Sequence, residues 1–333
     1  MPVSGIKAQA HALLADLART GDANRAYHSD ALAMASHPWG VLEGASAIGR
    51  LWAVLRAALP DMERRDLIFV GGENRDDPRL DAPRAPHMVA ALGHLQGTFA
   101  TDLLGIPATH GVVHLRYGEA HWIDGGKIRR SWLHFDLVDL MEQAGLFPLP
   151  PPFGARGIWP GPAPQDGLRL GDEAWDGPDA LDTVFAMHAA LLSFDGKSLS
   201  SMPHDAYWTG DFMYYAAGGI GMTRGLAGFR AHHQIPFLKA FPDRTSEGHF
   251  IRISDGPYAV TGGVVLGTHL GPYLGMTPTG RRIRMPVMDF YRLEGTRIAE
   301  NWLPMDVLGV AHQMGNDLLA RLAHYRGDPA RDL

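Results

Sequence analysis

Hydrophobic and polar positions follow the same succession of patterns twice along this chain. Apolar residues recur at helical spacing over residues 6–19 and 180–192, which predicts an amphipathic helix at the start of each half. Strand patterns follow later in each half, and two of their turns are the hairpin dipeptides Asp124-Gly125 and Glu294-Gly295. The predicted strands are residues 88–97, 112–123, 127–136, 258–267, 283–293 and 297–306. Helices followed by an antiparallel sheet predict an α+β fold for each half.

A second helix is predicted between the first helix and the strands of each half. In the N-terminal half, Ser46 is suited to cap a helix that Pro60 ends. In the C-terminal half, residues 226–240 have a helical pattern that contains Pro236. Because proline removes one helical hydrogen bond and crowds the preceding turn, we expect a kink there.

An internal repeat explains why the patterns occur twice. Residues 97–109 align with residues 267–279 at a shift of 170 positions and without a gap. The alignment extends to Trp132 with Trp302, Asp136 with Asp306 and Gly145 with Gly315, and upstream to Gly44 with Gly225 and Pro60-Asp61 with Pro242-Asp243. The sequence therefore predicts two copies of one domain, at residues 1–147 and 179–333. A stiff, Pro- and Gly-rich linker is predicted at residues 148–178.

Composition narrows the classes of function. The 333 residues are 46% hydrophobic and have a formal net charge of −6 without a basic block, which argues against nucleic acid and anionic membranes as partners. The absence of Cys excludes disulfides, thiolate nucleophiles and Cys-ligated metals. No signal peptide or membrane-spanning segment is predicted, so we expect a cytoplasmic protein.

Cofactor chemistry has no support in the sequence. None of the four Lys residues lies in a pattern that predicts the buried amine of a Schiff-base enzyme. Gly262-Gly263 does not fit a dinucleotide-binding fingerprint, and the His residues show no established metal-ligand spacing. We therefore predict neither a metal nor an organic cofactor.

Several short motifs of the second copy are similar to a known family. They are a Pro-Asp after a helix, Gly-Thr-His, Gly-Met-Thr-Pro-Thr-Gly-Arg, a strand that ends in Tyr-Arg-Leu, and Ile-Ala-Glu-Asn-Trp-Leu-Pro-Met-Asp. From about residue 221 to 315 this pattern resembles the SnoaL-like polyketide cyclases of the NTF2-like superfamily. The first copy matches more weakly, with Phe99 in place of His269. The resemblance implies two tandem cone-shaped α+β barrels, each with a curved antiparallel sheet around a pocket.

The resemblance also implies a chemistry. SnoaL-like cyclases close a ring by intramolecular aldol addition, without metal or cofactor, and use an acidic residue near the end of the domain. The matching residue is Asp306 in the second copy and Asp136 in the first. Each of these residues also directly precedes a predicted short helix, so that capping the helix is an alternative role for both.

The spacing of acidic residues on the strands suggests a second member of the site. Side chains two positions apart share a face of a strand. We expect the hairpin to pair Asp289 with Glu300, which places Asp289 on the same side of the sheet as Asp306. Two carboxyls in an apolar pocket can act as an acid and a base because their pKa values differ. We therefore expect Asp306 to be the base, and Asp289 and His269 to be acid or orienting groups.

Aromatic and His residues near these strands are candidates for substrate binding. In the second copy they are Trp302, Tyr291, Tyr214, His233 and Trp208. For the first copy, the equivalents of the catalytic and binding residues together are Asp136, Glu119, His134, Trp132 and His121. In both sets, packing in the core is the alternative to lining a pocket.

Two functions of different classes follow. The first is a cofactor-free acid–base enzyme that acts on a hydrophobic carbonyl compound by cyclase, aldol or retro-aldol, dehydratase or isomerase chemistry. The second is an NTF2-like module that binds a small molecule or a protein without turnover. A closed cavity with ionisable groups favours the first, and a filled cone favours the second. We also expect the two copies to pack sheet to sheet as an intrachain pseudo-dimer, with a homodimer as a further option.

Overall fold

The computed structural model describes residues 3–80 and 85–327, and each half begins with helices and ends with long strands. The N-terminal half contains α1 (Val3–Thr20), α2 (Ala23–Ala26), β1 (Tyr27–Ala35), β2 (Gly40–Glu43), α3 (Ala45–Ala58), β3 (Glu63–Glu73), β4 (His87–Thr98), β5 (Val112–Asp124), β6 (Lys127–Phe135) and α4 (Leu137–Gln143).

The C-terminal half repeats this succession with more turns between its elements. It contains α5 (Ala180–Leu191), two 3₁₀ turns (Leu199–Ser201 and His204–Ala206), β7 (Trp208–Ala216), β8 (Met222–Arg224), α6 (Gly225–Phe229), a π-helical turn (Arg230–Gln234), α7 (Ile235–Ala240), β9 (Thr245–Asp255), β10 (Tyr258–Thr268), β11 (Arg282–Glu294), β12 (Arg297–Leu303), α8 (Val307–Gln313) and α9 (Leu318–Tyr325).

The two sheets have the same strand order. One runs β2-β1-β6-β5-β4-β3 and the other β8-β7-β12-β11-β10-β9. The predicted α+β class with two similar units is confirmed, whereas the sheets expected to be antiparallel are mixed. The last long strand of each half returns beside the first in parallel, so each sheet is mixed. The edge strands of each sheet do not pair with one another, and neither sheet closes into a barrel.

Helices cover one face of each sheet and form the larger hydrophobic core. In the N-terminal half, α1 and α3 pack against the strands, and Leu14, Trp52 and Tyr27 are fully buried between them. In the C-terminal half, α5 and the segment from α6 to α7 occupy the corresponding place. Among the described residues, no helix has both the length and the apolar character needed to span a bilayer.

The opposite faces of the two sheets pack against each other. The rings of Trp132 and Phe250 stack with their centroids 4.9 Å apart, and a second hydrophobic cluster fills this layer. The backbone of Gly118 lies close to the Pro304 ring of the other half, and an added Cβ would lie 2.2 Å from Cγ of Pro304. Only glycine fits at that position without displacing the other half.

The segment between the halves contacts both sheets. Gly167 accepts a hydrogen bond from the backbone N of Phe69 at 2.8 Å, while Ala155 donates to Met222 O at 2.8 Å. The Trp159 ring is buried and donates to Ala216 O at 3.2 Å. The segment thus strengthens the contact between the two sheets.

Lys7 differs from the sequence-based expectation. It is almost fully buried in α1, and its Nζ lies 2.8 Å from the Asp255 carboxylate of the other half. Arg169 binds the other oxygen of Asp255 at 3.0 Å. The pattern of α1 did not reveal this burial, because the carboxylate that pairs with Lys7 belongs to the other half of the chain.

Candidate active site

The C-terminal half encloses a cavity of about 490 Å³ between its helices and its sheet. Most of the wall consists of aliphatic and aromatic side chains. The polar and ionisable residues of the wall are Arg79, His188, His204, Tyr214, His233, Gln234, Arg244, Thr245, Ser246, His249, Arg252, Tyr273, Asp289, Tyr291 and Asn301, and Trp208 adds an indole N–H. Five of the predicted residues therefore meet in one place, namely Trp208, Tyr214, His233, Asp289 and Tyr291.

Asp289 is the acidic residue of this wall. It lies on β11, and alternate residues from Met285 to Tyr291 on that strand also line the cavity. The side-chain amide of Asn301 donates to Asp289 Oδ1 at 3.1 Å. Burial raises the pKa of Asp289 to about 7, against the smaller opposing effect of hydrogen bonds from Asn301 and Tyr291. The carboxyl therefore exchanges protons near neutral pH.

Two tyrosine–histidine pairs also line the cavity. Tyr214 and His233 are joined through the phenol oxygen and Nε2 at 3.1 Å, and Tyr291 and His188 are joined in the same way at 3.1 Å. Burial lowers the pKa of His233 to about 4 and that of His188 to about 3. It also raises the pKa of both phenols well above the usual value. Both pairs are therefore uncharged at neutral pH and can donate or accept hydrogen bonds.

One additional residue in the C-terminal copy brings His233 and Gln234 to the cavity. The chain from Gly225 to Pro242 is one residue longer than its counterpart from Gly44 to Pro60. The extra residue is accommodated by the π-helical turn, whereas the N-terminal copy has the uninterrupted helix α3. Such turns are frequent at functional sites. Pro236 follows in the first turn of α7, where a missing N–H is tolerated.

The rim of the cavity includes a residue from the N-terminal half. Arg79 lines the cavity together with Arg252 and His249. Asp77 Oδ1 accepts from Arg79 Nε at 2.9 Å, and Asp77 Oδ2 accepts from the backbone N of His249 at 2.7 Å. Although burial opposes it, this bonding holds the pKa of Asp77 well below its usual range. Burial and the nearby Arg79 charge lower the pKa of His249 to about 4.

Asp306 and His269 lie outside the cavity. Asp306 caps α8, since its Oδ1 accepts from the backbone N of Gly309 at 2.8 Å, and its Oδ2 accepts from the backbone N of His37 in the other half at 2.8 Å. The His269 ring is buried, and its Nδ1 lies 3.2 Å from the Thr279 hydroxyl. The alternative role in helix capping is therefore the one that the contacts of Asp306 support.

The register of the last hairpin explains this separation. A bulge shifts the pairing so that Glu300 lies opposite Arg292, and the expected pairing of Glu300 with Asp289 is wrong. Asn301 and alternate residues after it face the cavity. Trp302 therefore faces the other way, where its Nε1 donates to Pro160 O at 3.1 Å in the layer between the sheets.

Glu119 and His121 occupy the N-terminal positions equivalent to Asp289 and Tyr291, but their surroundings differ. Arg64 reaches Glu119 Oε1 at 2.6 Å, and His121 Nε2 lies 3.2 Å from the same oxygen. Burial acts to raise the pKa of Glu119, but the Arg64 charge and His121 outweigh it and hold the pKa below the usual value. Glu119 is thus an ionised member of a buried salt bridge.

The other N-terminal candidates belong to the contact between the halves. Asp136 caps α4 and accepts a hydrogen bond from the backbone N of Gly218 at 2.8 Å, and Arg116 lies 2.6 Å from the same oxygen. Trp132 lies between the sheets, as described above. Burial lowers the pKa of His134 to about 4 against the opposing charge of Asp306.

The sequence contained signals for some of the missed residues. His188 lies four residues after the buried Val184 in an amphipathic helix, so its place on the buried face could have been read from the spacing. Asn301 precedes Trp302 on the predicted strand, but only the bulge shows that it faces the cavity. Arg79 could not have been found, because its loop belongs to the other copy.

The described part of the chain contains no group of side chains arranged as metal ligands. Across residues 3–80 and 85–327, no group of three or more His, Asp or Glu side chains is placed to hold a metal ion. The polar groups of the described wall are imidazoles, phenols, amides, guanidinium groups and the Asp289 carboxyl, a set suited to exchanging protons and hydrogen bonds with an organic ligand.

Comparison with known proteins gives a family match for the C-terminal half. Residues 196–314 match the family described as SnoaL-like polyketide cyclase. No curated protein matches the chain.

Solved structures similar to this chain each cover about two fifths of it. IdmH from Streptomyces antibioticus, named as a candidate polyketide cyclase, is 24% identical, with 40% of this chain and 97% of its own covered at a TM-score of 0.34. An NTF2-like protein from Burkholderia thailandensis is 17% identical, with coverages of 41% and 98% and a TM-score of 0.35. A protein of ketosteroid isomerase-like fold from Catenulispora acidiphila, in complex with trimethylamine, is 13% identical, with coverages of 41% and 92% and a TM-score of 0.28.

The family match and the strand order lead to the same assignment. The match includes the strands that carry Tyr214, Asp289 and Asn301. The N-terminal sheet has the same order and the same parallel pair. Residues 196–314 therefore match the SnoaL-like family, and the N-terminal half contains a second six-stranded α+β unit with the same strand order.

Proposed function

We propose that the C-terminal cavity binds a hydrophobic carbonyl compound and that Asp289 transfers a proton to and from it without a cofactor. The observation that carries this proposal is the buried Asp289 carboxyl, whose pKa is raised to about 7 in a largely apolar cavity. A group that titrates near the working pH is best suited to general acid–base catalysis. Asn301 positions its carboxyl through a hydrogen bond of 3.1 Å.

The proton balance of the reaction needs no further reactant. Ionised Asp289 takes a proton from the carbon beside the carbonyl. The electron pair of the broken C–H bond then delocalises onto the carbonyl oxygen, which gives an enolate. The Tyr214 hydroxyl can donate to the enolate oxygen while it accepts from the Nε2–H of His233. Return of this proton from Asp289 to the same carbon gives hydrogen exchange or epimerisation, and its delivery to the γ-carbon of an unsaturated ketone gives isomerisation. Alternatively, the enolate carbon attacks a second carbonyl of the same molecule, and the proton passes to the new alkoxide, which closes a ring.

Exchange of carbon-bound hydrogen for deuterium tests this step without knowledge of the natural product. The probe ketones are 1-indanone and 2-tetralone in D₂O, followed by proton NMR. We expect catalysed exchange to increase as the pH rises through about 7, where Asp289 ionises, and then to level off. Asp289→Asn should slow it about 100-fold or more at an unchanged melting temperature, because the amide cannot take the proton.

The matched control is Asp306→Asn, which keeps most of the helix cap and should leave exchange unchanged. Loss of exchange in Asp306→Asn but not in Asp289→Asn would assign the proton transfer to Asp306 and overturn the role proposed for Asp289. Wild-type protein that binds the ketones but exchanges no deuterium would favour the non-catalytic binding module.

A further inference from the structure

Arg244 is a partly buried cation of the cavity wall without a carboxylate partner among the described residues. It directly precedes β9 and lines the cavity. Its guanidinium lies 5.8 Å from the centroid of the Phe194 ring. Burial lowers the pKa of Arg244, and no carboxylate opposes this effect. A charge that loses water without gaining a partner is costly, so a ligand that neutralises it would bind favourably.

The acidic residues next to Arg244 in the sequence are engaged elsewhere. Asp243 accepts from the backbone N of Thr268 at 2.7 Å and binds Arg282 at 2.8 Å. Glu247 pairs with Arg284 at 2.5 Å. Neither carboxylate is therefore available to Arg244.

The rest of the rim does not neutralise Arg244 either. Arg79 and Arg252 share Asp77, which lies 2.6 Å from the first and 3.7 Å from the second. Asp289 is largely protonated below pH 7. The described wall and its rim thus have an excess of positive charge.

The N-terminal copy shows that the fold does not need a cation at this position. Met62 follows Pro60-Asp61, just as Arg244 follows Pro242-Asp243. Met62 is a buried member of the hydrophobic core. An arginine therefore occupies this position in the copy with the described cavity and a core methionine in the other, which links the charge to the cavity and not to folding.

We propose that the compound bound in this cavity has a carboxylate or another planar anionic group, which Arg244 binds through paired N–H···O bonds. The guanidinium fork matches such a group in geometry and charge. The apolar part of the compound then fills the cavity, whose wall includes Phe237, Leu238 and Leu303. This inference rests on the proposed function only in that both require an apolar compound in this cavity.

Isothermal titration with two probes of equal shape tests the anion site. The probes are 2-naphthoate and 2-naphthalenemethanol, which differ in charge. We expect the wild type to bind 2-naphthoate about tenfold more tightly than the alcohol. Arg244→Gln should remove this preference by weakening the binding of 2-naphthoate alone, and Arg244→Lys should restore part of it.

The control is Arg297→Gln, which changes an exposed arginine at the last hairpin and should leave both affinities unchanged. Equal binding of both probes by the wild type, or a preference that persists in Arg244→Gln, would overturn the anion site and leave the proton-transfer proposal intact. Binding of neither probe would also overturn the anion site, whereas deuterium exchange into 1-indanone and its loss in Asp289→Asn test the proton transfer independently.

Discussion

Each half of the chain has an acidic residue at the equivalent position of its own sheet, but the surroundings shift the pKa values of the two carboxyls in opposite directions. Glu119 lies opposite Ala91 and Asp289 lies opposite Thr261, on equivalent strands. In the N-terminal half, Arg64 holds Glu119 ionised. In the C-terminal half, Ser246 takes the place of Arg64, and burial raises the pKa of Asp289 to about 7.

Another pair of equivalent positions near these carboxyls also differs between the two halves. Trp52 is fully buried in α3, and the equivalent position in the C-terminal copy is His233, on the wall of the cavity. A large side chain and an ion pair therefore stabilise one interior, while the other has groups that exchange protons at the equivalent positions. The comparison shows that the duplicated fold tolerates both outcomes, because the helices and the sheet are the same.

Arg64→Met should produce the largest effect on stability. It leaves Glu119 and Asp66 buried without their common cation, and loss of one partner of a buried ion pair typically costs about 3 to 5 kcal/mol. Urea unfolding at pH 7 measures the change in the free energy of unfolding. The matched control is Arg282→Met, which removes an exposed ion pair and should cost about 1 kcal/mol or less. Equal losses for the two variants would contradict the importance assigned to Arg64.

Ser246→Arg should give Asp289 an arginine partner like the one that Glu119 has in the N-terminal half. The introduced guanidinium can reach Asp289 as Arg64 reaches Glu119, so that the pKa of Asp289 falls and the cavity becomes smaller. We expect deuterium exchange into 1-indanone to slow by about 100-fold or more, which NMR measures. Thr296→Arg, at an exposed hairpin, is the control and should exchange at the wild-type rate. An unaltered rate in Ser246→Arg would show that the charge environment of Asp289 does not matter.

The fold was largely predictable because the repeat and the local patterns agree. Hairpin dipeptides and strand spacing indicated the α+β class and three of the strands in each half. The parallel pairing of β6 with β1 was not predictable from local pattern, because the paired residues lie about 100 positions apart in the chain.

The site was only partly predictable. Residue type and helical or strand spacing identified Tyr214, His233 and Asp289, which meet in the cavity. Asp306 was nominated through the resemblance, yet a bulge that no residue pattern revealed turns Asn301 toward the cavity instead. Arg79 comes from the other half, so only the contact between the two sheets brings it to the rim.

The pKa of Asp289 tests the central claim most directly. Carbon-13 NMR of the protein labelled at the aspartate carboxyl carbons, with Asp289→Asn to assign the signal, gives the midpoint of its titration. The account predicts a midpoint near 7, raised by burial from an ordinary value of about 4. A midpoint near 4 would mean that the carboxyl is ionised and solvated at neutral pH, and it would contradict the proposed acid–base role.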